Sequence, residues 1–159
     1  MDENPNLYVV KSISKSYGVP GLRLGVLVSG NADVIRRLKR SVSIWNINSM
    51  AEFFMQILDK YKADYENSLR EIKAERARFF EALSQIKTLK VYPSQANYFM
   101  CELLDGYTSE ELAGRLLKKN ILIKDLTGKI KNGRQYIRIA IRTGAENQSL
   151  VQLLKEEMQ

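Results

Sequence analysis

The sequence predicts a mixed fold of helices and strands, between the α/β and α+β classes, with one long helix between two dissimilar parts. Three features support this class. Two short apolar segments flank a glycine-rich loop near the start of the chain, a helical apolar repeat follows in a stretch without proline or glycine, and short alternating segments complete the sequence. A chain of 159 residues can form one domain or two small lobes.

The first predicted elements are two short strands at residues 7–11 and 24–28, where "LYVVK" and "LGVLV" are largely apolar. The sequence "SGN" ends this pattern. Val34, Ile35 and Leu38 then indicate a short helix, which carries the basic tail "RRLKR".

The middle of the chain predicts one long helix, or two nearly continuous ones, over residues 49–87. Apolar side chains recur from Met50 onward at intervals of three and four residues, and neither proline nor glycine interrupts them. At 1.5 Å per residue such a helix would be on the order of 55 Å long. Because the repeat is not a strict heptad, we expect a helix that bridges two lobes rather than a coiled coil.

The last part of the chain predicts a small, mostly antiparallel sheet with helices. Thr108, answered by Glu111, predicts a capping box at the start of a helix that ends at Asn120. The other predicted elements follow in order: two strands around a Pro-Ser turn within 89–103, a strand at 121–124, a loop at 127–134, a strand at 136–142 and a closing amphipathic helix at 145–158.

Composition narrows the possible functions. The chain contains no histidine, which excludes His-based triads and the common zinc sites. Its one cysteine, Cys101, cannot form an internal disulfide, which fits a cytoplasmic location. No secretory signal and no apolar run long enough to cross a membrane is visible. The formal net charge is +7, but the basic residues are mixed with acids along helices, so we expect no nucleic-acid binding.

The segment "SISKSYGVPGLRLG", residues 12–25, contains the residues that an aldehyde cofactor with a phosphate group would need. Lys15 could form a Schiff base, Ser12 and Ser14 supply hydroxyls, and Arg23 supplies a fixed cation for a phosphate. Glycines let the backbone turn sharply beside a ligand. From spacing alone, an ordinary loop with a solvent-exposed lysine is an equally good interpretation.

The predicted strand 136–142 places a charge where charge is costly. Ile137, Ile139 and Ile141 share the face that packs on the helices, and Arg138 lies on the other face beside the small Ala140. From the residues alone, a structural ion pair or a solvated face explains Arg138 more simply than a binding role does.

The ordered motifs resemble the fold-type I pyridoxal phosphate-dependent aminotransferases of class I and II, and most closely their histidinol-phosphate aminotransferase branch. The pattern S-x-S-K-x-x-G-x-x-G-x-R-x-G at residues 12–25 carries this resemblance, and "YPSQANYFM", "NILIKDLTG" and "YIRIAIRTGAENQSLVQLL" follow in the family's order. The resemblance covers nearly the whole chain.

The resemblance implies roles for individual residues. Lys15 would bind pyridoxal 5'-phosphate covalently and then move a proton at the substrate α-carbon. The cofactor phosphate would be held by Ser12, Ser14 and Arg23, and Arg138 would bind the substrate α-carboxylate. The implied reaction moves an amino group between an amino acid and a 2-oxo acid, in an enzyme that is a homodimer.

Two positions depart from the family pattern. Lys124 stands where histidinol-phosphate enzymes usually have an arginine that binds the substrate phosphate, and a lysine lacks the bidentate fork. Arg142 stands where the family often has glycine. The substrate is therefore left open, and a related branch that decarboxylates phosphothreonine is the alternative within the family. A non-catalytic helical interaction module is the alternative from another class.

The resemblance also implies a domain organisation. Residues 1–45 would be the end of the large cofactor domain, 46–87 the connecting helix, and 88–159 the small C-terminal domain. Lys15 lies past the midpoint in family members, so the resemblance implies a C-terminal fragment. We therefore expect this chain alone to bind pyridoxal phosphate weakly or not at all and to be inactive. We also expect an exposed apolar face of the first two strands to drive self-association.

Overall fold

A computed structural model describes residues 4–158, and it confirms the mixed helix-and-strand class. The chain divides into two compact units between Glu66 and Asn67. We call residues 4–66 unit 1 and residues 67–158 unit 2. The expected three-segment division at residues 45 and 87 remains a prediction.

Unit 1 begins with a two-stranded antiparallel sheet. Strand β1 spans Tyr8–Lys11 and pairs with β2, Val26–Ser29, in a register that places Val9 opposite Val28. Both predicted strands are therefore confirmed, each shifted by one or two residues. The loop between them contains the one-turn helix α1, Ile13–Ser16, and a 3₁₀ turn at Pro20–Leu22.

Three helices follow, and the first two begin after an asparagine N-cap. Helix α2 spans Ala32–Ser41 and is capped by Asn31, whose side chain accepts a hydrogen bond from the NH of Val34. The predicted long helix is confirmed as two nearly continuous ones. They are α3, Ser49–Ile57, and α4, Lys62–Ser84, joined by the 3₁₀ turn Leu58–Tyr61.

Unit 2 contains a four-stranded antiparallel sheet in the order β3-β4-β6-β5. Its core lies between one face of this sheet and the helices, and Phe79, Leu116, Ile137 and Leu154 are each at most 2% exposed. The elements are β3 Leu89–Val91, β4 Tyr98–Leu103, α5 Ser109–Lys118, β5 Lys124–Asp125, β6 Gln135–Ala140 and α6 Gly144–Glu157.

The predicted strand at 121–124 is wrong except for its last residue. Helix α5 is followed by a left-handed residue, Asn120, with φ +62°, and the NH of Ile121 bonds to the carbonyl of Leu116. This arrangement is a Schellman cap. The cap thus uses the NH of Ile121, and the pairing with β6 begins at Lys124.

Two further expectations needed correction. Strand β6 ends at Ala140 rather than at residue 142: the bond from the NH of Ile141 to the carbonyl of Asn97 is the last one in the register with β4, and the backbone of Arg142 bonds to the Asn147 side chain instead. Thr108 caps α5 through the NH of Glu111, but the reciprocal half of the predicted capping box is not formed. The complete box occurs instead at α6, between Thr143 and Glu146.

None of the helices within residues 4–158 is both long and apolar enough to cross a membrane.

Candidate functional site

The loop between β1 and β2 presents Lys15 to solvent. Lys15 lies in the one-turn helix α1 and is exposed, and it forms no ion pair with any carboxylate within residues 4–158. Its neighbour Ser14 is buried at 3% exposure. The lysine amine is therefore free to react, while the backbone on its N-terminal side is fixed.

Ser14 joins this helix to the residue that follows Arg23. The Ser14 hydroxyl donates to the carbonyl of Leu24 at 3.1 Å and accepts from the Leu24 NH at 2.5 Å. The Ser14 NH donates to the same carbonyl at 3.0 Å. Lys15 and Arg23 are the neighbours in sequence of these two residues, so the link holds both ends of the loop in register.

Arg23 occupies an unusual backbone conformation. Its φ is +54°, in the left-handed region that non-glycine residues seldom adopt, and its side chain is exposed. Like Lys15, it has no carboxylate partner in the described chain. A guanidinium that is exposed and forms no ion pair can bind an anion by donating two parallel hydrogen bonds to it.

The two serines differ in what they can offer a ligand. Ser12 is half-buried, and its hydroxyl makes no capping bond, although its carbonyl accepts from Ser16. The Ser14 hydroxyl is already engaged with Leu24. That both hydroxyls hold a phosphate stays a prediction, and Ser12 has the freer group.

Helices α3 and α4 support this loop through residues that the sequence analysis did not single out. The Asn48 side-chain amide donates to the carbonyl of Leu22 at 2.9 Å. The Tyr65 hydroxyl donates to the carbonyl of Ser16 at 3.1 Å, and its ring stacks on Tyr17 with centroids 4.3 Å apart. The one available sequence signal was the position of Asn48 just before an apolar helical repeat, which is typical of an N-cap.

Unit 2 carries a second group of cations, on the sheet face opposite its core. Strand register places Lys124 of β5 directly opposite Arg138 of β6, and both are exposed. The guanidinium carbon of Arg138 lies 5.0 Å from the centre of the Tyr98 ring. Neither cation has an ion-pair partner in the part of the chain that the structure describes, so the structural ion pair considered for Arg138 is not formed.

A carboxylate on this same face is engaged elsewhere. Glu102 accepts a hydrogen bond from the Tyr92 hydroxyl at 2.6 Å and pairs with Arg134 at 3.2 Å. The bond from Tyr92 is the main reason that the pKa of Glu102 falls below its usual range, and the same bond raises the pKa of Tyr92 to about 12. Glu102 therefore does not neutralise Arg138.

The end of strand β6 is held by a buried amide. Asn147, at 3% exposure, accepts from the NH of Arg142 at 3.0 Å and donates to its carbonyl at 3.0 Å. The same amide donates to Glu75 of α4 at 2.8 Å, and this bond and Arg78 lower the Glu75 pKa. A Cβ on Gly144 would approach the Glu75 carboxylate to 3.3 Å, so a small residue is needed there.

The loop fits a phosphate-bearing aldehyde by the chemistry of its donors. Lys15 would supply the amine, while Arg23 and Ser12 would supply a cation and a hydroxyl for the phosphate. The loop also closes tightly, because a Cβ on Gly25 would meet the carbonyl oxygen of Lys11 at 3.2 Å. These residues are the ones that would hold pyridoxal phosphate.

Known proteins are similar to this chain in both sequence and fold. The chain is 34% identical over 157 residues to the threonine-phosphate decarboxylase of Salmonella typhimurium, covering 98% of this chain and 42% of that one. It is 37% identical over 145 residues to an L-serine phosphate decarboxylase of Campylobacter jejuni, covering 89% and 37%.

A solved structure matches over a similar share of this chain. The histidinol-phosphate aminotransferase of Clostridium acetobutylicum superimposes with a TM-score of 0.88 at 30% identity, covering 99% of this chain and 47% of that one. The chain thus spans less than half the length of each of these three relatives. The family model for aminotransferase class I and II matches residues 1–154. The chain belongs to this family, whose members depend on pyridoxal phosphate.

Proposed function

We propose that this protein, with pyridoxal phosphate, acts on an amino acid that carries a second anionic group of the phosphate type and removes its α-carboxylate as carbon dioxide. The observation that carries this proposal is the pair of cations Lys124 and Arg138, which lie opposite each other on neighbouring strands and form no ion pair within residues 4–158.

The energetics of the cation pair support a substrate with two anionic groups. Directly opposite residues of an antiparallel pair have Cβ atoms roughly 4.5–5.5 Å apart, and like charges at this distance destabilise a sheet. Two anionic groups on one small molecule would offset this repulsion. Arg138, with its bidentate fork, suits a carboxylate, and Lys124, as a point charge, suits a phosphate.

In this proposal Lys15 is the residue that transfers a proton to the substrate. When bound, pyridoxal phosphate withdraws electrons from the substrate α-carbon. Loss of carbon dioxide leaves the electron pair of the broken bond at this carbon, and the Lys15 ammonium delivers the proton that replaces the carboxylate. Arg138 orients the carboxylate before the bond breaks, and Arg23 binds the cofactor phosphate.

The relatives favour decarboxylation over amino transfer. Two of the curated relatives, one with 34% and one with 37% identity, are decarboxylases of phosphorylated amino acids. Amino transfer to a 2-oxo acid is the second candidate, because the structure with a TM-score of 0.88 is an aminotransferase. In that reaction Lys15 would remove the proton of the substrate α-carbon and deliver it to an atom other than that carbon.

The reaction is tested in the full-length protein, with O-phosphothreonine and O-phosphoserine as substrates in the presence of pyridoxal phosphate. We expect carbon dioxide and a phosphorylated amine in equal amounts, without a 2-oxo acid. Formation of 2-oxo acid that requires an added amino acceptor would instead establish amino transfer.

The substrate class is tested separately by binding, monitored by NMR. We expect Lys124→Ala to remove the preference for O-phosphoserine over serine, and Arg138→Ala to weaken the binding of both. Lys118→Ala, which removes a cation from helix α5, is the control. A preference for O-phosphoserine that survives in Lys124→Ala contradicts the proposed substrate class.

A further inference from the structure

Arg23 lies between two backbone groups that are each held by a side chain. On its N-terminal side, the carbonyl of Leu22 accepts from the Asn48 amide at 2.9 Å. On its C-terminal side, the NH and the carbonyl of Leu24 bond to the hydroxyl of Ser14. The conformation of Arg23 is therefore fixed from outside the turn itself.

Such fixing is needed because the conformation is unfavourable. A non-glycine residue at φ +54° is in a sparsely populated region of backbone conformation, which is energetically unfavourable. Residues stay in such regions only where the surrounding structure determines them. Ser14 lies in the same loop as Arg23, whereas Asn48 is 26 residues away from Leu22 in sequence.

Asn48 uses its two amide atoms for two different tasks. Its Oδ1 accepts from the NH of Ala51 at 2.9 Å and so caps helix α3. Its Nδ2 donates to Leu22 and so ties the turn to the start of this helix. A serine at this position would retain the capping acceptor but would lose the donor to Leu22.

We infer that Asn48 is a positioning residue that holds Arg23 in the conformation in which it binds the cofactor phosphate. This inference rests on the proposed function, which assigns the phosphate to Arg23 and the aldehyde to Lys15. It predicts that losing the Asn48 donor weakens recognition of the phosphate and leaves recognition of the aldehyde unchanged.

The test compares pyridoxal 5'-phosphate with pyridoxal, which lacks the phosphate. The affinity of each aldehyde is measured by its absorbance change on the complete protein, and cyanoborohydride trapping with peptide mass spectrometry measures its attachment at Lys15. Asn48→Ser is the test variant. Asn31→Ser is the matched control. The side chain of Asn31 also caps a helix, because its Oδ1 accepts from the NH of Val34 at 3.1 Å, and its side-chain amide makes no other hydrogen bond within residues 4–158.

For Asn48→Ser we expect the affinity for pyridoxal phosphate to fall roughly two- to tenfold, the effect of one hydrogen bond, while the affinity for pyridoxal stays the same. Asn31→Ser should change neither affinity. If Asn48→Ser lowers the affinity for both aldehydes equally, or for neither, Asn48 is not a positioning residue for Arg23. If the unaltered protein itself shows no preference for pyridoxal phosphate, the assignment of Arg23 fails, and the inference fails with it.

Discussion

The two units of the chain differ in how they bury their apolar residues. In unit 2 the sheet and helices enclose a core whose members, such as Leu112, Leu116 and Ile137, are fully buried. In unit 1 the described apolar residues that are buried are Leu24 and Ala51. Many of its large apolar side chains are exposed instead, including Val10 at 79% and Trp45 at 88%.

The unit that contains most of the core is therefore not the unit that contains the proposed cofactor-binding residues. The residues that would hold pyridoxal phosphate lie in the unit with little core, where hydrogen bonds such as those of Ser14 and Asn48 determine the local structure. The residues that would bind the substrate lie on a sheet that packs on a complete core. We therefore expect unit 2 to fold without unit 1 and to dominate the measured stability.

The largest expected effect comes from a matched pair of Leu→Ala substitutions. Leu116→Ala in the core of unit 2 should lower the free energy of unfolding by about 2–5 kcal/mol, because it leaves a cavity among fully buried side chains. Leu27→Ala in unit 1, where the side chain is 40% exposed, should cost less than about 1 kcal/mol. Urea unfolding followed by circular dichroism measures both.

Cys101 provides an independent readout of the same prediction. It is the one cysteine of the chain, it is fully buried, and burial raises its thiol pKa to about 12. Alkylation should therefore report the opening of unit 2, and Leu116→Ala should accelerate it strongly while Leu27→Ala should not. Equal acceleration by both variants would contradict the difference between the units.

A smaller effect concerns the exposed apolar strands of unit 1. We expect Val10→Lys in β1 to reduce self-association of the chain, because it puts a charge on an apolar sheet surface. Leu122→Lys in unit 2, where the side chain is similarly exposed at 83%, is the control. Sedimentation velocity over a range of concentrations distinguishes them, and an unchanged oligomer in Val10→Lys would exclude this strand as the contact.

The smallest expected effect is on the acid stability of unit 2. Bonds from Arg142 and from the side chain and backbone of Thr143 lower the pKa of Glu146 to about 2, from an ordinary value of 4.5. Because the folded pKa is depressed, this stabilisation is fully present above pH 4.5 and is lost as the pH falls toward 2. Glu146→Gln should therefore flatten the stability profile in this window, as urea unfolding at a series of pH values measures.

Features set by local pattern were predicted from the sequence. The isoleucines of β6 alternate with a period of two, and Ile137 and Ile139 are buried as expected. Residues 121–123 were misassigned because a short apolar run predicts burial but does not distinguish a strand from an irregular segment.

Features that depend on distant contacts were not predicted. Tyr65 reaches Ser16 across 49 residues, and only the folded chain brings the two together. The opposition of Lys124 and Arg138 was likewise missed, although both residues had been singled out, because it follows from the register of a two-residue strand.

The most direct test of the central claim is to identify the lysine that reacts with pyridoxal phosphate. The protein is incubated with millimolar pyridoxal phosphate, reduced with borohydride and mapped by mass spectrometry. We predict that modification is concentrated at Lys15 and that Lys15→Ala abolishes the absorbance band of the bound cofactor without a compensating increase at Lys11. Modification spread evenly over exposed lysines, or a band that survives in Lys15→Ala, would contradict the account.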